Sequence, residues 1–342
     1  MSEQSTKKSK IGARKLTEEE AGLILPTYDQ IYGQIGKFRR EKSADRPEAE
    51  LHTDNADTEK KRQNQDIDQK TNNIGIIGVR GAGKTSVLKT IRAKLQTESK
   101  KSNDIILPII VPENMSESST LMATVLGMIS NIVDEREKKR SKGKNEDCIK
   151  KSELRQKCDE VIKQYTYIQK EYRDILLHEY TTENDYVVRS ARVFNSDTEF
   201  ICKFNEMVEE LINENAVKSG SGRKNDSLLF VFIDDIDLST YRCADVVKTL
   251  LSYLSNENIV TFISEDLETF EEALTLDFLR QEGVLDKNVL NKKIISKTVL
   301  ESKKQLAYEY LKKILPPVYR HHIKYWSLEE KANYCVMGEE DD

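Results

Sequence analysis

Ile74-Gly75-Ile76-Ile77-Gly78-Val79-Arg80-Gly81-Ala82-Gly83-Lys84-Thr85-Ser86 is the stretch on which the fold reading turns. Ile74 to Ile77 is a short apolar run that stops at a glycine, as a buried strand does. From Ser86 to Leu95, the residues Val87, Leu88, Ile91 and Leu95 recur at helical spacing, with Lys and Arg on the other side. Between them, Gly78 to Thr85 matches G-x-x-x-x-G-K-[ST]. Glycines there let backbone N–H groups turn inward around phosphates, and the positive N-terminal end of the following helix adds to them. The pattern predicts a strand, loop and helix that cradle ATP with Mg²⁺ through Gly78, Val79, Arg80, Gly81, Ala82, Gly83, Lys84, Thr85 and Ser86. Lys84 is expected to reach the β- and γ-phosphates as a point charge, and Thr85 to give its hydroxyl to Mg²⁺.

A nucleotide-bound Mg²⁺ also needs a carboxylate at the end of a neighbouring strand. Leu228 to Ile233 is an unbroken apolar run, the pattern of a strand buried on both faces, and it ends in Asp234-Asp235-Ile236-Asp237. Asp234 is assigned to the metal and Asp235 to polarising the attacking water. Asp237 is read as a cap of the next helix, although any one of the three acids can play that part. The strand Ile259 to Ile263 ends at Ser264-Glu265-Asp266, where polar side chains of a parallel sheet face the ligand crevice. Ser264 is therefore a candidate to hold the water or the γ-phosphate, while Asp266 either joins it or caps the helix that follows.

Working outward, Ile105 to Val111 reads as a buried strand that Pro108 puts near a sheet edge or a strand start. Helices are expected over Ser118–Val133, Val246–Leu254, Phe270–Leu279 and Lys303–Leu315, the last stopped by Pro316-Pro317. Strands alternating with helices predict an α/β fold with a parallel sheet and crossover helices. Upstream, the capping box Thr17/Glu20 opens one or two short helices broken at Pro26. Tyr28 and Tyr32 on them are read as core, or else as packing near the adenine. Arg39 to Asn73 has almost no apolar residues and is expected to be a flexible tether. Between the two chemistry-bearing motifs lie long charged helices, Cys148 to His178 and then Ser196 to Val217, opened by Ser196/Glu199. On the second, Phe200, Phe204, Met207, Val208, Leu211 and Ile212 form an apolar stripe read as core, and Ser219-Gly220-Ser221-Gly222 closes the insertion. The segments are thus 1–38 (N-terminal helical), 39–73 (tether), 74–133 (P-loop half), 134–225 (helical insertion) and 226–342 (acidic-strand half).

The 342 residues carry 54 Lys and Arg against 59 Asp and Glu, a net charge of -5, which supplies no global basis for binding nucleic acid. The basic run Lys138, Lys139, Arg140, Lys142, Lys144 reads as a solvated loop, its alternative being a nucleic-acid or partner contact. No apolar stretch approaches the roughly 20 residues of a membrane span, and the N-terminus lacks an apolar core for export, so a cytoplasmic protein is expected. Five cysteines without C-x-x-C and four histidines without ligand spacing predict reduced thiols and no structural metal. His321-His322 is read as a solvated pair at a strand or loop end.

The G-x-x-G-x-G-K-T loop, the late apolar strand ending in Asp234-Asp235-Ile236-Asp237, the strand ending near Asp266 before Phe270-Glu271-Glu272-Ala273-Leu274, and Tyr310-Leu311-Lys312-Lys313-Ile314-Leu315-Pro316 together resemble KAP-type P-loop NTPases of the AAA+/STAND side of the class. The resemblance spans roughly Ile74 to Tyr319. It implies a strand order in which another strand separates the acidic strand from the P-loop strand, and a helical insertion between the two motifs. KAP proteins often carry membrane helices in that insertion; this sequence does not. With Ile110 to Glu113, that departure is similar to the soluble ATPase subunits of bacterial antiviral systems of the RADAR type. Such families continue past the last strand into a helical lid or effector region, whereas this sequence ends soon after Trp326, so either it is a fragment or a partner subunit supplies the rest. The implied function is a homo-oligomeric regulatory or signalling ATPase in antiviral defence, with a protein effector. Related ATPases complete the site with an arginine from a neighbouring subunit. Arg280 is the first candidate, with Arg242 and Arg320 behind it, and its other reading is a surface arginine favoured at a helix C-terminus. The alternatives are a DNA-handling AAA+ motor or loader, and a nucleotide-dependent scaffold with little hydrolysis.

Overall fold

In a computed structural model, residues 13–44, 71–141, 151–178, 182–218, 227–236, 242–281 and 297–327 are described. Five parallel strands form one sheet: β1 (Asn73–Ile77), β2 (Ile105–Ile110), β3 (Leu229–Asp234), β4 (Ile259–Glu265) and β5 (Arg320–His322). Their order is β2-β3-β4-β1-β5, so β4 lies between the acidic strand and the strand that feeds the glycine loop, the order that the resemblance implies. β2 is an edge strand. Its register with β3 shifts between Ile106 and Ile109, around the exposed Pro108, which has no N–H to give to a ladder.

The three central strands β1, β3 and β4 are buried on both faces because helices cover both. On one face, Ile105, Leu107, Val231, Ile233, Ile259 and Ile263 pack under α4 (Leu121–Ser141), α8 (Cys243–Ser252), α9 (Leu267–Gln281) and α10 (Lys297–Ile314). On the other, Ile74, Ile76, Phe230, Phe232, Val260 and Phe262 pack under α3 (Lys84–Ser102) and two helices from the start of the chain, α1 (Glu18–Ile24) and α2 (Tyr28–Ala44). Phe262 stacks on Phe232 with ring centroids 5.1 Å apart. The insertion adds α5 (Glu153–Ile168), α6 (Lys170–His178) and α7 (Glu183–Lys218), and the stripe from Phe200 to Ile212 is buried in the first of these cores, as expected.

Several boundaries differ from the sequence reading. The tether does not begin at Arg39, because α2 continues to Ala44, and beyond the last apolar core residue of the helix, Phe38, the chain is held by charged side chains. The Arg39 guanidinium forks onto Asp104, with N–O distances of 3.1 and 2.6 Å, and the buried Lys42 ammonium donates to the Ser227 carbonyl at 2.8 Å. Asn72 and Asn73 are buried at the start of β1. Residues 45–70 lie outside the described residues. The helix from Cys148 to His178 is two helices: Ser152 caps α5, its hydroxyl accepting the Arg155 N–H at 3.1 Å, and Gln169 breaks the chain before α6. Ser196 opens no helix. It sits inside the 36-residue α7, its hydroxyl donating back to the Val193 carbonyl at 2.8 Å, one of the local bonds a serine makes inside a helix.

The His321-His322 pair also departs from its reading. His322 is exposed, but His321 is only 3% exposed, with Nδ1 2.8 Å from Thr27 Oγ1 and Nε2 2.9 Å from Gln34 Oε1, so it ties β5 to α2. Among the described residues no helix is long and apolar enough to cross a membrane.

Candidate functional site

The glycine loop emerges from β1 into α3. Gly81 and Gly83 hold φ of 79° and 100°, values that cost an L side chain roughly 1–2 kcal/mol. Gly83 is the N-cap of α3, no side chain caps that helix, and no acidic residue stands in its first turn. The N–H groups of the first turn have no partner inside the helix, so they are left to whatever lies beyond it. Lys84, 6% exposed, folds over the loop and donates to the carbonyls of Gly78 at 2.9 Å and Val79 at 3.2 Å. Val79, Arg80 and Gly81 are exposed and Ala82 half-buried. Thr85 is the second residue of α3. Ser86 is turned elsewhere, its hydroxyl accepting the Arg14 N–H at 3.3 Å.

The back wall of the loop comes from distant parts of the chain. A Cβ on Gly78 would stand 3.1 Å from the Ile323 Cβ, so the chain leaving β5 approaches closely there and a side chain would have to push it back by a few tenths of an ångström. Ile323 donates its N–H to the Ile77 carbonyl at 2.7 Å, and Lys324 donates to the Ile24 carbonyl at 2.9 Å. Ile24 in turn lies against Gly83. Tyr28 and Tyr32 do not reach the loop. Their hydroxyls are 3.0 Å apart, and both rings lie near the Lys94 ammonium, ten residues along α3 from Lys84 and so about 15 Å away, which fits the core reading rather than an adenine contact. Burial raises the Tyr28 phenol, and raises Tyr32 further.

Asp234 ends β3 in register with Ser264 on β4, and Ser264 is in register with Ile76 on β1. Asp234 is therefore level with the end of β1 and two strand spacings across, roughly 10 Å. Asp234 is 1% exposed and Ser264 fully buried, and neither the Oδ1 of Asp234 nor the hydroxyl of Ser264 has a hydrogen-bond partner among the described residues. Leaving such atoms unsatisfied costs about 1–3 kcal/mol each; Ser190, Arg242, Asn258 and Thr261 also carry one, and what sets Asp234 and Ser264 apart is that they are paired positions at the C-terminal ends of neighbouring strands. Asp235 is partly exposed and turns the chain with φ 51°, one of two non-glycine residues in the left-handed region among those described. Its N–H donates to the Ser264 carbonyl at 3.3 Å. Asp237 lies outside the described residues. Asp266 caps α9, its carboxylate accepting the Glu268 N–H at 3.2 Å, so of its two readings the cap is the one realised.

The arginines separate cleanly. Arg242 is buried and donates to the carbonyls of Met115, Ser116 and Ser119, clamping the turn that follows β2. The Arg320 guanidinium donates to the Leu315 carbonyl at 2.8 Å. Both make hydrogen bonds within their own chain, Arg242 buried and Arg320 half-buried. Arg280 is exposed in the last turn of α9, 3.8 Å from Asp277. It lies 13 residues along the helix from Leu267, about 20 Å from the end of β4, and is not brought to its own chain's site.

One residue here carries no role in the sequence reading. Glu265 is fully buried at the end of β4, and both carboxylate oxygens accept backbone N–H groups, from Ile236 at 2.7 Å and Asp266 at 2.8 Å. Its only signal in the sequence is an acid where an apolar strand ends, beside two more conspicuous candidates. Among the described residues no three His, Cys, Asp or Glu side chains form a metal cage. A Mg²⁺ that arrives with nucleotide needs none, because phosphate oxygens and water complete its shell. No protein-family model matches the chain, and no curated protein matches it.

Proposed function

We propose that this chain binds ATP·Mg²⁺ at the glycine loop and hydrolyses it. The observation that carries the reading is the buried carboxyl oxygen of Asp234, level with the loop and beside the Ser264 hydroxyl, both without a partner among the described residues. A loop of two left-handed glycines that ends in an uncapped helix N-terminus suits phosphate, and a carboxylate across the crevice suits the cation that accompanies it. In this reading Gly78 to Lys84 hold the phosphates, and Thr85 and Asp234 hold the Mg²⁺, which supplies charge neutralisation at the γ-phosphate. Lys84 leaves the two carbonyls it now bridges and places its charge on the β- and γ-phosphates. Ser264 orients the attacking water or a γ-oxygen, and Asp235 polarises the water. The narrower part of the proposal is an oligomeric regulatory ATPase of KAP type in antiviral defence, with Arg280 of one copy serving the site of the next. It is supported by the sequence resemblance, by the strand order, and by the distance of Arg280 from its own site.

The test is binding of a fluorescent ATP analogue together with phosphate release, on the full chain. Lys84→Ala should weaken binding about 10- to 100-fold, the value of one or two charge-assisted contacts. Asp234→Asn should bind nucleotide without Mg²⁺ as the parent does and lose turnover. Undiminished nucleotide binding by Lys84→Ala would refute the site.

A further inference from the structure

Glu265 joins three parts of the proposed site through one residue. Its backbone carbonyl accepts the N–H of Gly78, the first residue of the glycine loop, at 3.1 Å. Oε2 accepts the N–H of Ile236, directly after the acid pair, at 2.7 Å, and Oε1 accepts the N–H of Asp266, the residue that caps α9, at 2.8 Å. The side chain is wholly buried, and the six strand residues before it on β4 are buried as well. A carboxylate in that setting needs its acceptors filled, and backbone donors from two separate segments fill them.

The bond to Ile236 matters most, because it falls at the residue after the left-handed Asp235. A non-glycine residue with positive φ persists where the surroundings over-determine it. Here the Asp235 N–H is held by the Ser264 carbonyl on one side of the turn and the Ile236 N–H by Glu265 on the other. Across those two bonds Asp234 stays buried at the end of β3, Asp235 comes partly to the surface with its left-handed φ, and Ile236 is buried again. We propose that Glu265 is a positioning residue for nucleotide hydrolysis, holding the Asp234-Asp235 turn in register with the glycine loop through its carboxylate and its carbonyl. The inference rests on the nucleotide reading above and adds to it a residue that touches neither nucleotide nor cation.

Glu265→Gln is close in shape but has one acceptor where two are used, and it sets an N–H₂ against the second N–H donor. In the full chain, the expected result is a dissociation constant for a fluorescent ATP analogue in EDTA within about twofold of the parent, since the carbonyl to Gly78 is untouched. Turnover should fall at least about tenfold, and the Mg²⁺ concentration for half-maximal turnover should rise, because the metal acid is no longer fixed. A residue that merely supports the fold would move the unfolding midpoint and leave the Mg²⁺ half-point of the folded fraction unchanged. If the Gln variant shows no cooperative unfolding, Glu265→Asp, which keeps two acceptor oxygens, takes its place in the same measurements. Loss of fold in both variants, or unchanged turnover and Mg²⁺ half-point in a folded one, overturns the proposal. A parent chain that neither binds nor hydrolyses ATP removes the nucleotide reading itself, and this inference with it. Normal parent activity with an indifferent Glu265 variant removes the inference alone.

Discussion

Acidification should unlock the joint between β5 and α2 at His321. Gln34 donates its Nε2–H to the Val318 carbonyl at 3.0 Å, which turns its Oε1 toward the ring, so His321 Nε2 carries the proton and Nδ1 accepts from Thr27. Burial, helped by the adjacent His322, pushes the ring from its ordinary 6.5 down to about 4. The folded-state value lies below the unfolded one, so the unfolded chain binds the extra proton and acid favours unfolding. The contribution is complete above about pH 6.5 and is lost as pH falls toward 4. Shifting 6.5 to about 4 is worth roughly 3 kcal/mol in full, of which about 2 kcal/mol is already gone at pH 5. Other acids titrate in the same interval, so the measurement is a difference between two proteins. His321→Gln keeps a donor in place of Nε2 and cannot titrate. Urea unfolding of both at pH 7.5 and pH 5 should show the variant less stable at pH 7.5, with the parent losing about 2 kcal/mol more than the variant between the two. Equal losses would refute a neutral, buried His321 as the source.

Two further outcomes are expected. Arg39→Ala should lower stability by roughly 2–4 kcal/mol in urea unfolding, because Asp104, whose side chain is 1% exposed, keeps its bond from the Leu228 N–H but loses its charged partner; a change under 1 kcal/mol would show that α2 is not anchored there. Arg280→Ala should retain ATP affinity and lose turnover, with the parent's turnover per subunit rising with protein concentration; concentration-independent turnover would remove the neighbour's arginine from the mechanism.

What could be read from the sequence was whatever announced itself through apolar periodicity or a glycine pattern. The runs Ile74–Ile77 and Leu228–Ile233 are strands with both faces covered, the stripe on α7 is core, and the crossover logic yields the parallel sheet. Pro108 marked an edge because the missing N–H is a local fact. All but one of the failures share a cause: burial achieved by polar pairing at long range. Arg39 and Lys42 look like the start of a solvated tether, since their partners Asp104 and Ser227 lie 65 and 185 residues away. His321 looks solvated beside His322 until Thr27 and Gln34 fold against it. Glu265 carries no role in the sequence for the same reason, since one of its two donors, the Ile236 N–H, lies 29 residues away. Ser196 failed differently, since a capping pattern and a serine bonding back within a helix look alike on paper.

The wall behind Gly78 has a bearing on the order of synthesis. β1 and the loop leave the ribosome nearly 250 residues before Ile323 and Lys324, which close the outer edge of β1 and bind the carbonyl of Ile24. Contacts of such sequence separation form late, after the entropy of closing a long loop has been met. A nascent chain that has emerged only through α9 therefore has its glycine loop open on one side, with β1 as a sheet edge and the first two helices lacking one of their clasps. Arrested chains released before residue 319 are expected to bind nucleotide poorly and to associate through that edge. Chains extended past 327 should acquire both nucleotide binding and solubility in the same step.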